Sequence, residues 1–557
     1  MSIVKIALAL AAAGLVGIAP GCGGRPSYWN APVGTGTTGA TSYGLTKGVA
    51  LVDDAAHRVM VLTAQSDLQL SEQSVPIGHQ VVAVTVSPDA TRLFVLSAGD
   101  WPRRTTNDEL PSLTVVDIGD DFRAKSHAYP MSEPLGSLAI DPQGSWAVAY
   151  AGPSSGTNAA PSFVENPNEI VIFDLNHPPS TVTRTLQSFG GTPQRLVFTP
   201  ELELPAGKGQ RRLLLIETDI DLTMLDLNRA FEAAAPPEIT VPLTSGSTAK
   251  QVTPAGLAVD GRNPSDPNDA RFAVWASNDT NIFTLQLVAP TKDLRNDFAP
   301  SVNLTDVGGI PTDVAFVETT SATASIGLSL RVAALVPSRS SAILVDPDTS
   351  VTTPVTLPSP YANFSLVTSE LGGAPTTPTG PDVALLWNAG AGAASGVALW
   401  SLGTSVTQPY RSVQVLGATQ PIKNAIDVPN QPLKVLEMTS GAGFYVLDLH
   451  SPPTAPPLTT AGTATLVIAP DGKRLWAFAP GGTDLASIDL KTLNPIPLTT
   501  DLGISAVYDV ARAGCGTNCR ALVAVHAEGA FGATVFDAMN PVTANSRRTG
   551  ALLVEAP

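Results

Sequence analysis

The sequence repeats a unit of short apolar segments separated by turns, and this repeat constrains the fold more than any other feature. In the clearest copy, residues 465–478 form two apolar runs around Pro470-Asp471-Gly472, and a third run at 485–490 ends in Ile-Asp-Leu. An Asp-Gly pair between apolar runs indicates a β-hairpin, because glycine accepts the positive φ that the turn requires. Each unit therefore predicts a strand, a tight turn, a second strand, a loop and a third strand.

Nine such units follow a partial unit at 48–75. They begin near Gly78, Gly136, Gly191, Gly256, Gly309, Ser365, Asn424, Gly462 and Gly503. A period of about 40–50 residues with several strands per unit is typical of a β-propeller, whose blades stack around an axis to bury their faces. We therefore expect an all-β propeller of four-stranded blades.

The number of blades is less constrained than the architecture. The nine starts and the partial unit allow up to ten repeat units, whereas propellers usually have about four to eight blades. We favour one ring of seven or eight blades with long insertions, formed by residues 47–557. Two rings within the same residues are the alternative.

Most of the third strands end in an aspartate. It recurs as Asp117, Asp174, Asp226, Asp346, Asp448, Asp489 and Asp537. A carboxylate at a strand end can accept hydrogen bonds from the backbone N–H groups of the following turn. One such residue per blade is a feature of the scaffold, so we predict a structural role and not a catalytic one.

The repeat also resembles a known family. At Ser87-Pro88-Asp89, at residues 470–475 and at Ser487-Ile488-Asp489, the chain resembles the YVTN-type, lactonase-like propeller repeats. The resemblance covers most of residues 48–557 as a repeat pattern, and it implies the propeller architecture. Because propellers host many functions, it implies no particular activity and places no catalytic residue on this chain.

The N-terminus has the features of an export signal. A lysine precedes an apolar run at residues 6–18, which is shorter than the about 20 residues of a membrane-spanning helix and matches the apolar region of a secretory signal. The following Ala19-Pro20-Gly21-Cys22 resembles the lipobox of bacterial lipoproteins. That resemblance implies a signal peptide at 1–21 and acylation of Cys22, with palmitate as the test label. An ordinary signal cut near Gly21 is the alternative.

Residues 22–46 are predicted to be a lipidated, flexible tether rich in glycine and threonine. The stretch 34–39 matches the dinucleotide pattern G-x-G-x-x-G, but no strand precedes it and no helix follows, so we do not predict a nucleotide site. By resemblance to the enteric sorting rule, Gly23 favours the outer membrane because it is not aspartate. The expected location is therefore the cell envelope, with the membrane face left open.

The acidic balance of the chain limits its partners. Its formal net charge is −16 at pH 7, and a surface this acidic repels phosphate backbones, so nucleic-acid binding is not expected. Besides the membrane, we expect another envelope protein or a polysaccharide as the partner. The overall charge disfavours anionic partners.

Two cysteines remain after Cys22 is assigned to the lipid. Cys515 and Cys519 flank a Gly/Asn turn, and in an oxidising compartment such a pair is predicted to form a disulfide that closes a tight loop. Free thiols are the main alternative. A metal or redox site is disfavoured because no further histidine or cysteine ligands accompany the pair.

Two acidic loops offer the oxygen ligands that calcium prefers. One holds Asp117, Asp120 and Asp121, and the other holds Asp260, Asn263, Asp266, Asn268 and Asp269. Neither follows the D-x-[DN]-x-[DN]-G spacing, so ordinary turns are the preferred interpretation. Asp266, Asn268 and Asp269 stay weak calcium candidates, and no cofactor is expected.

Other local motifs do not indicate catalysis. Residues 152–156 match G-x-S-x-G but lie in a Gly/Ser-rich loop, without the strand-to-helix turn that a nucleophile elbow requires. The six histidines, His57, His79, His127, His177, His450 and His526, are scattered, and no pair has the i, i+4 spacing of a helical zinc site.

Two hypotheses for the function follow from the sequence. The first is a non-catalytic binding or assembly scaffold tethered to the membrane, because what differs between units is loop length, and loops on a rigid scaffold carry recognition. The alternative is a lactonase-like hydrolase or lyase with an active site on the propeller axis. An axial site would assemble from residues far apart in the sequence, so a pocket with titratable groups would favour the enzyme.

Overall fold

The computed structural model describes most of the propeller region. The described residues are 26, 29, 33, 40–152, 164–187, 191–245, 250–260, 266, 270–292, 294–320, 328–367, 383–389, 396–402, 412–416, 421–429, 431, 433–438, 443–448, 458–460, 465–516, 519–526, 532–543 and 546–549. Within this part of the chain, no helix is long and apolar enough to cross a membrane.

The strands of the first five blades are as follows. Blade 1 comprises β1 (Thr41–Leu45), β2 (Gly48–Asp53), β3 (Arg58–Ala64) and β4 (Leu70–Pro76), and blade 2 comprises β5 (Val81–Val86), β6 (Arg92–Ser97), β7 (Ser112–Ile118) and β8 (Ala124–Pro130). Blade 3 comprises β9 (Ser137–Ile140), β10 (Trp146–Tyr150), β11 (Glu169–Asp174) and β12 (Thr181–Thr185). Blade 4 comprises β13 (Pro193–Glu203), β14 (Gln210–Thr218), β15 (Asp221–Asp226) and β16 (Ile239–Pro242), and a small hairpin of β17 (Thr244–Ser245) and β18 (Lys250–Gln251) follows it. Blade 5 comprises β19 (Pro254–Asp260), β20 (Arg271–Ala276), β21 (Asn281–Val288) and β22 (Ala299–Asp306).

The remaining five blades continue the pattern. Blade 6 comprises β23 (Asp313–Thr320), β24 (Leu328–Val336), β25 (Ser341–Val345) and β26 (Thr352–Thr356), and blade 7 comprises β27 (Asn363–Val367), β28 (Val383–Trp387), β29 (Val397–Ser401) and β30 (Ser412–Leu416). Blade 8 comprises β31 (Ile422–Asp427), β32 (Leu433–Met438), β33 (Gly443–Asp448) and β34 (Leu458–Thr460), and blade 9 comprises β35 (Thr465–Ile468), β36 (Arg474–Phe478), β37 (Asp484–Asp489) and β38 (Pro495–Thr499). Blade 10 comprises β39 (Ala506–Ala511), β40 (Arg520–His526), β41 (Gly532–Asp537) and β42 (Arg547–Thr549). Short 3-10 turns occur at Asp54–Ala56, Pro205–Gly207, Leu227–Arg229 and Pro337–Arg339.

Each blade is an antiparallel sheet of four consecutive strands, which we call A, B, C and D in chain order. The A strands of neighbouring blades contact one another, as β5 does β9 and β19 does β23, so they surround the axis. The D strands form the outer surface, and β26 and β38 are largely exposed. The recurrent sequence unit therefore corresponds to one blade.

The blades form one closed ring of ten. A separate hydrophobic core lies between each pair of consecutive blades, and a tenth core joins blade 10 to blade 1. The upper limit of ten units predicted from the sequence is confirmed, whereas the preferred count of seven or eight blades with insertions, and the alternative of two rings, are replaced. The partial unit at 48–75 is a complete blade, because its A strand begins at Thr41.

The B and C strands are apolar on both faces because each blade is covered on both sides. In β6 and β36, every residue after the first is buried, as expected for a sheet that packs between two others. The A–B turns carry the positive φ predicted for the Asp-Gly hairpin. Gly472 has a φ of +69°, and a Cβ there would lie 1.9 Å from the Pro429 carbonyl oxygen of the neighbouring blade, so the position requires glycine.

The antiparallel order gives the ring two distinct faces. The upper face carries the B–C turns and the D–A connections between blades, and the lower face carries the A–B and C–D turns. Contacts between blades follow this division. On the upper face, the Val81 N–H donates to Asp54 Oδ1 at 3.0 Å, and on the lower face, the Thr46 N–H donates to the Ala90 carbonyl at 2.7 Å.

The first and last blades meet without exchanging a strand. In the described residues, the first sheet consists of β1–β4 and the tenth of β39–β42. Their interface, which we call the closing interface, is joined by hydrogen bonds: the Tyr508 hydroxyl donates to the Ser42 carbonyl at 2.7 Å, and the Ala513 N–H donates to the Ala64 carbonyl at 2.8 Å. Within the part of the chain that the structure describes, the ring is therefore closed by packing and hydrogen bonds.

Candidate functional site

The outer surface of blades 3, 4 and 5 contains an elongated groove, which we call the rim groove. It consists of two adjoining basins of about 480 and 460 Å³ that share Gln187, Pro237, Glu238 and Arg295. The first basin is further lined by Thr183, Arg184, Thr185 and residues 234–236, and the second by Ile239, Thr240, residues 290–292, Asn296, Phe298 and Ala299. Three outermost strands, β12, β16 and β22, contribute to it, and in the described residues each has one edge without a partner strand.

The groove exists because the C–D connections of blades 4 and 5 are long. They span residues 227–238 and 289–298, whereas the same connection in blade 9 spans only 490–494. The blade 4 connection begins with a 3-10 turn that Asp226 caps by accepting the Asn228 N–H at 3.0 Å. It then extends outward to Pro236-Pro237, whose fixed φ angles stiffen the wall of the groove.

Ion pairs hold the walls of the groove together. Arg184 of β12 contacts Glu238 through Nε and Oε1 at 3.3 Å, and its Nη2 donates to the Pro236 carbonyl at 3.3 Å. The side chains of Arg184 and Glu238 are 15% and 4% exposed, so this pair is largely buried. Arg229 joins the two connections by donating to Asp297 Oδ2 at 3.1 Å. The groove is therefore built into the scaffold.

The charge of the groove differs from that of the whole chain. Arg184 and Glu238 pair with each other, and Lys292 adds a cation to the described lining, which Arg295 also borders. The one aromatic side chain in that lining, Phe298, is 3% exposed and offers no open ring face. The chain carries a net charge of −16, so the rim groove is a local exception that favours acidic groups.

A second polar cluster lies on the upper face, where blades 1 and 2 meet. His79 Nδ1 is 2.8 Å from Asp100 Oδ1, and His79 Nε2 is 3.1 Å from Glu109 Oε2. The ring of His57 lies 3.8 Å from that of His79 between centroids. The Glu109 N–H and His79 hydrogen-bond to Asp100, and both lower the pKa of this carboxyl. The cluster orders the long B–C loop of blade 2, at residues 98–111.

Three buried carboxyl groups lie between blades. Glu217 is 3% exposed, and its Oε2 is 3.9 Å from Arg195 Nε. Asp313 accepts the Phe364 N–H at 3.0 Å, and Asp509 accepts the Trp476 Nε1–H at 3.1 Å. Burial raises the pKa of all three carboxyls, and the bonds to Phe364 and Trp476 oppose the rise at the two aspartates. Asp313 and Asp509 thus connect neighbouring blades, whereas Glu217 and Arg195 both belong to blade 4.

The structural role predicted for the third-strand aspartates is confirmed where the bonds are described. The Asn176 N–H donates to Asp174 Oδ1 at 2.9 Å, and the Met539 N–H donates to Asp537 Oδ1 at 2.9 Å. The same turn bond is accepted by Asp226, Asp346 and Asp489. At Asp489, the backbone N–H of Thr492 is the main cause of a lowered carboxyl pKa.

The two cysteines lie in the A–B turn of blade 10, on the lower face. Both are present as partly buried thiols. Burial and a hydrogen bond with Cys519 raise the pKa of the Cys515 thiol, so the structure brings the two sulfurs together. The disulfide stays a prediction, and Cys22 lies outside the described residues.

Most of the weak calcium candidates cannot be compared with the structure. Asp266 is described, whereas Asn263, Asn268 and Asp269 lie outside the described residues. In the other acidic loop, Asp120 Oδ1 pairs with Lys47 Nζ at 2.7 Å, and Asp121 Oδ1 accepts the Arg123 N–H at 3.1 Å. Among the described residues, no three His, Cys, Asp or Glu side chains are arranged to hold a metal ion.

The structure brings together two of the histidines that are separated in sequence, His57 and His79. His526 is buried, and its Nε2 is 2.9 Å from Thr534 Oγ1, whereas His177 pairs with Asp174 at 2.8 Å. His450, the dinucleotide-like stretch 34–39 and residues 153–156 of the G-x-S-x-G match lie outside the described residues.

Comparison with known proteins adds similarity of fold. No family model matches the chain, and no curated protein matches it. Among solved structures, the dihydro-heme d1 dehydrogenase NirN in complex with DHE is 12% identical over 73% of each chain, with a TM-score of 0.40. The Dos1 propeller is 13% identical over 82% of this chain and 92% of that chain, with a TM-score of 0.36. A eukaryotic initiation factor is 9% identical over 91% and 94%, with a TM-score of 0.39.

At such values, these similarities do not bear on ligands or activity. The assignment of this chain as a β-propeller rests on its own ten sheets and on the ten cores between them.

Proposed function

We propose that this protein is a membrane-anchored binding scaffold of the cell envelope, and that the rim groove holds an extended, acidic segment of another envelope protein. The observation that carries the proposal is the rim groove itself, an elongated depression with buried ion pairs in its wall and cations in its lining. Shaped grooves with a few placed polar groups are typical of binding sites.

A protein segment fits the groove better than a sugar chain. Sugar rings are commonly held against open aromatic faces, and Phe298 in the described lining is buried. In contrast, β12 and β16 each present a strand edge that is unpartnered among the described residues, and extended peptides bind such edges through backbone hydrogen bonds. Lys292 supplies charge complementarity for acidic side chains.

A variant that fills the groove tests the proposal. Thr185 and Thr356 occupy the same position in blades 3 and 6, each opposite the first residue of strand C, and both are exposed. We expect Thr185→Trp to weaken binding to a detergent-solubilised envelope protein fraction by about tenfold or more, a loss of about 1.4 kcal/mol, and Thr356→Trp to leave it unchanged. Binding is measured by biolayer interferometry on the immobilised mature protein.

The same measurement with extracted envelope polysaccharide separates the two partner classes. Binding of polysaccharide that depends on Thr185, without binding of protein, would replace the protein segment as the occupant. Equal binding by both tryptophan variants would contradict the groove as the recognition site.

The membrane anchor and the absence of catalysis are tested separately. Labelled palmitate is expected to enter the wild type and not Cys22→Ala, and equal labelling would contradict the anchor. A lactone-hydrolysis screen with metal analysis addresses the alternative function. A stoichiometric axial metal together with saturable turnover would identify the protein as a lactonase-like enzyme.

A further inference from the structure

The N-terminal residues before blade 1 are attached to the upper face of the ring. Trp29 is 7% exposed, and its Nε1–H donates to the Ala56 carbonyl at 3.0 Å. Ala56 belongs to the B–C turn of blade 1, so Trp29 is fixed on the upper face. Trp29 lies within the stretch 22–46 that the sequence predicted to be a flexible tether.

A buried ion pair fixes the backbone of the same residue. Arg58 is fully buried, and its Nη1 donates to the Trp29 carbonyl at 2.6 Å. The remaining side of the guanidinium donates to Asp53 Oδ2, from Nε at 3.3 Å and from Nη2 at 3.2 Å. A buried charge requires such partners, so the position of Trp29 is tied to the packing of blade 1.

Val33 provides a second point of attachment. It is fully buried in the core between blades 10 and 1, against residues of both. The chain therefore leaves the ring at the closing interface, on the upper face. Only the seven residues from Cys22 to Trp29 remain to connect this point with an acyl chain on Cys22.

That length limits how far the ring can be from the membrane. An extended chain spans about 3.5 Å per residue, so seven residues reach about 25 Å at most. A strand of about six residues separates the two faces by about 20 Å. An acylated Cys22 therefore reaches the membrane far more easily when the upper face is the nearer one.

The upper face next to this point presents groups that can contact a membrane. The B–C loop of blade 2 carries half-buried Trp101, exposed Arg103 and Arg104, and Leu110, which is 37% exposed. Of the three acidic residues in this loop, Asp100 and Glu109 contact His79, and Asp108 accepts the Arg104 and Thr105 N–H groups. Tryptophan is enriched at membrane interfaces, and arginine side chains near an anionic lipid surface are attracted to its headgroups.

We infer that the ring lies with the upper face of blades 1 and 2 against an anionic phospholipid surface, so that the lower face points away from it. This orientation rests on the proposed acylation of Cys22. Trp29 and Val33 set the point from which the anchor leaves the ring, and the loop with Arg103 and Arg104 supplies the contact with lipid headgroups.

Fluorescent probes on the two faces test the orientation. The full acylated protein, with Cys515→Ser and Cys519→Ser in every variant, is labelled at Asn107→Cys on the upper-face loop or at Ser66→Cys in the lower-face C–D turn of blade 1, both exposed positions. It is then bound to vesicles of phosphatidylethanolamine, phosphatidylglycerol and a nitroxide-labelled lipid. We expect quenching at position 107 to exceed that at position 66 by roughly twofold or more, because the nitroxides lie at the membrane surface.

Matched variants identify the residues responsible. Arg103→Gln is expected to reduce the quenching at position 107, whereas Arg123→Gln, an exposed change on the lower face, leaves it unchanged. Trp29→Ala is expected to bring the two quenching values together without reducing acylation. Trp29→Phe, which keeps an aromatic ring but lacks the N–H donor, is expected to give a quenching difference between that of the wild type and that of Trp29→Ala. This variant takes the place of Trp29→Ala if the alanine variant folds poorly.

The outcomes separate this inference from the proposed function. Equal quenching at the two positions in acylated protein, or stronger quenching at position 66, would overturn the orientation and leave the anchored scaffold standing. If Cys22 carries no acyl chain, both the anchor and the orientation are overturned. Groove binding, measured with Thr185→Trp, is unaffected by either result.

Discussion

Two interfaces of the ring bury their apolar faces with different side chains. One lies between blades 4 and 5, and the other is the closing interface between blades 10 and 1. The first joins consecutive blades, and its core contains Phe272, Phe283 and Phe298 with many leucines. The second joins the two ends of the chain, and its fully buried core consists of valine, alanine, leucine and methionine. The closing interface therefore has smaller side chains and no covalent connection between its blades.

The difference indicates what the N-terminal residues do for the ring. At an ordinary interface, the D–A connection holds two blades at a high effective concentration, so the core alone suffices. At the closing interface, Val33 fills part of the core and Trp29 is held by Arg58. The N-terminal residues, which resemble a linker in composition, thus add contacts at the one interface that has no D–A connection.

The largest expected effect comes from removing the buried arginine beside the closing interface. Arg58→Ala leaves Asp53 buried without its partner and removes the donor to the Trp29 carbonyl. Breaking a buried pair in this way costs about 3–5 kcal/mol. We expect a large fall in the thermal midpoint, and faster hydrogen exchange in β1 and β39 than elsewhere.

Two controls sharpen this test. Arg212→Ala removes the partner of buried Asp141 between blades 3 and 4, and it should cost a similar amount without selective exchange at β1 and β39. Lys423→Ala removes an exposed pair with Glu437 and should cost about 0–1 kcal/mol. If Arg58→Ala and Lys423→Ala have equal effects, the buried pair does not stabilise the closing interface.

The fold could be predicted because its evidence is local and repeated. Tight turns such as the one at Asp471-Gly472 recur along the chain, and an aspartate such as Asp489 ends the third strand of seven blades. Each bond that defines these features joins residues close in sequence. The number of blades was harder to predict from the sequence. Unequal loop lengths resemble insertions, and ring closure depends on contacts such as Ser42 with Tyr508, which are 466 residues apart.

The candidate site was harder to predict for the same reason. The rim groove combines Arg184, Glu238 and Arg295 from three blades, and none belongs to a local motif. The length of the C–D connection at 227–238 was the available signal. The attachment of Trp29 to blade 1 was not predicted, because a composition rich in glycine and threonine indicates flexibility. A single buried tryptophan hardly changes that composition.

The next effect concerns a disulfide between Cys515 and Cys519, which lie on the lower side of the closing interface near Ser66 of blade 1. Closing so short a loop stabilises by about 2 kcal/mol at most. We expect one linked peptide by mass spectrometry of unreduced, exported protein, and a lower thermal midpoint for Cys515→Ser. Complete alkylation without prior reduction would show that the thiols are free.

Two buried valines, one at each interface, allow a direct comparison. Val33 precedes blade 1 and Val252 precedes blade 5, and each is fully or almost fully buried in the core of its interface. Shortening either to alanine removes two methylene equivalents, so each should cost about 1.5 kcal/mol. Only Val33→Ala should accelerate hydrogen exchange in β39, because blades 4 and 5 stay covalently connected. Equal exchange in the two variants would contradict a special role for the N-terminal residues.

The smallest expected effect is a gain of stability at the interface of blades 4 and 5. Burial raises the pKa of Glu217 above its unfolded value, so its contribution to stability is fully present below the unfolded pKa and is lost as pH rises through the folded pKa. Glu217→Gln removes this loss and should raise the thermal midpoint at pH 8 by about 1–2 °C, with little difference from the wild type at pH 4. Asp489→Asn is the control whose thermal midpoint should change in the opposite direction. The pKa of Asp489 is lowered, so its carboxylate stabilises the folded protein at neutral pH, and the substitution should lower the midpoint at pH 8. A Glu217→Gln midpoint below that of the wild type at pH 8 would show that the attraction of Arg195, 3.9 Å away, outweighs the cost of burial.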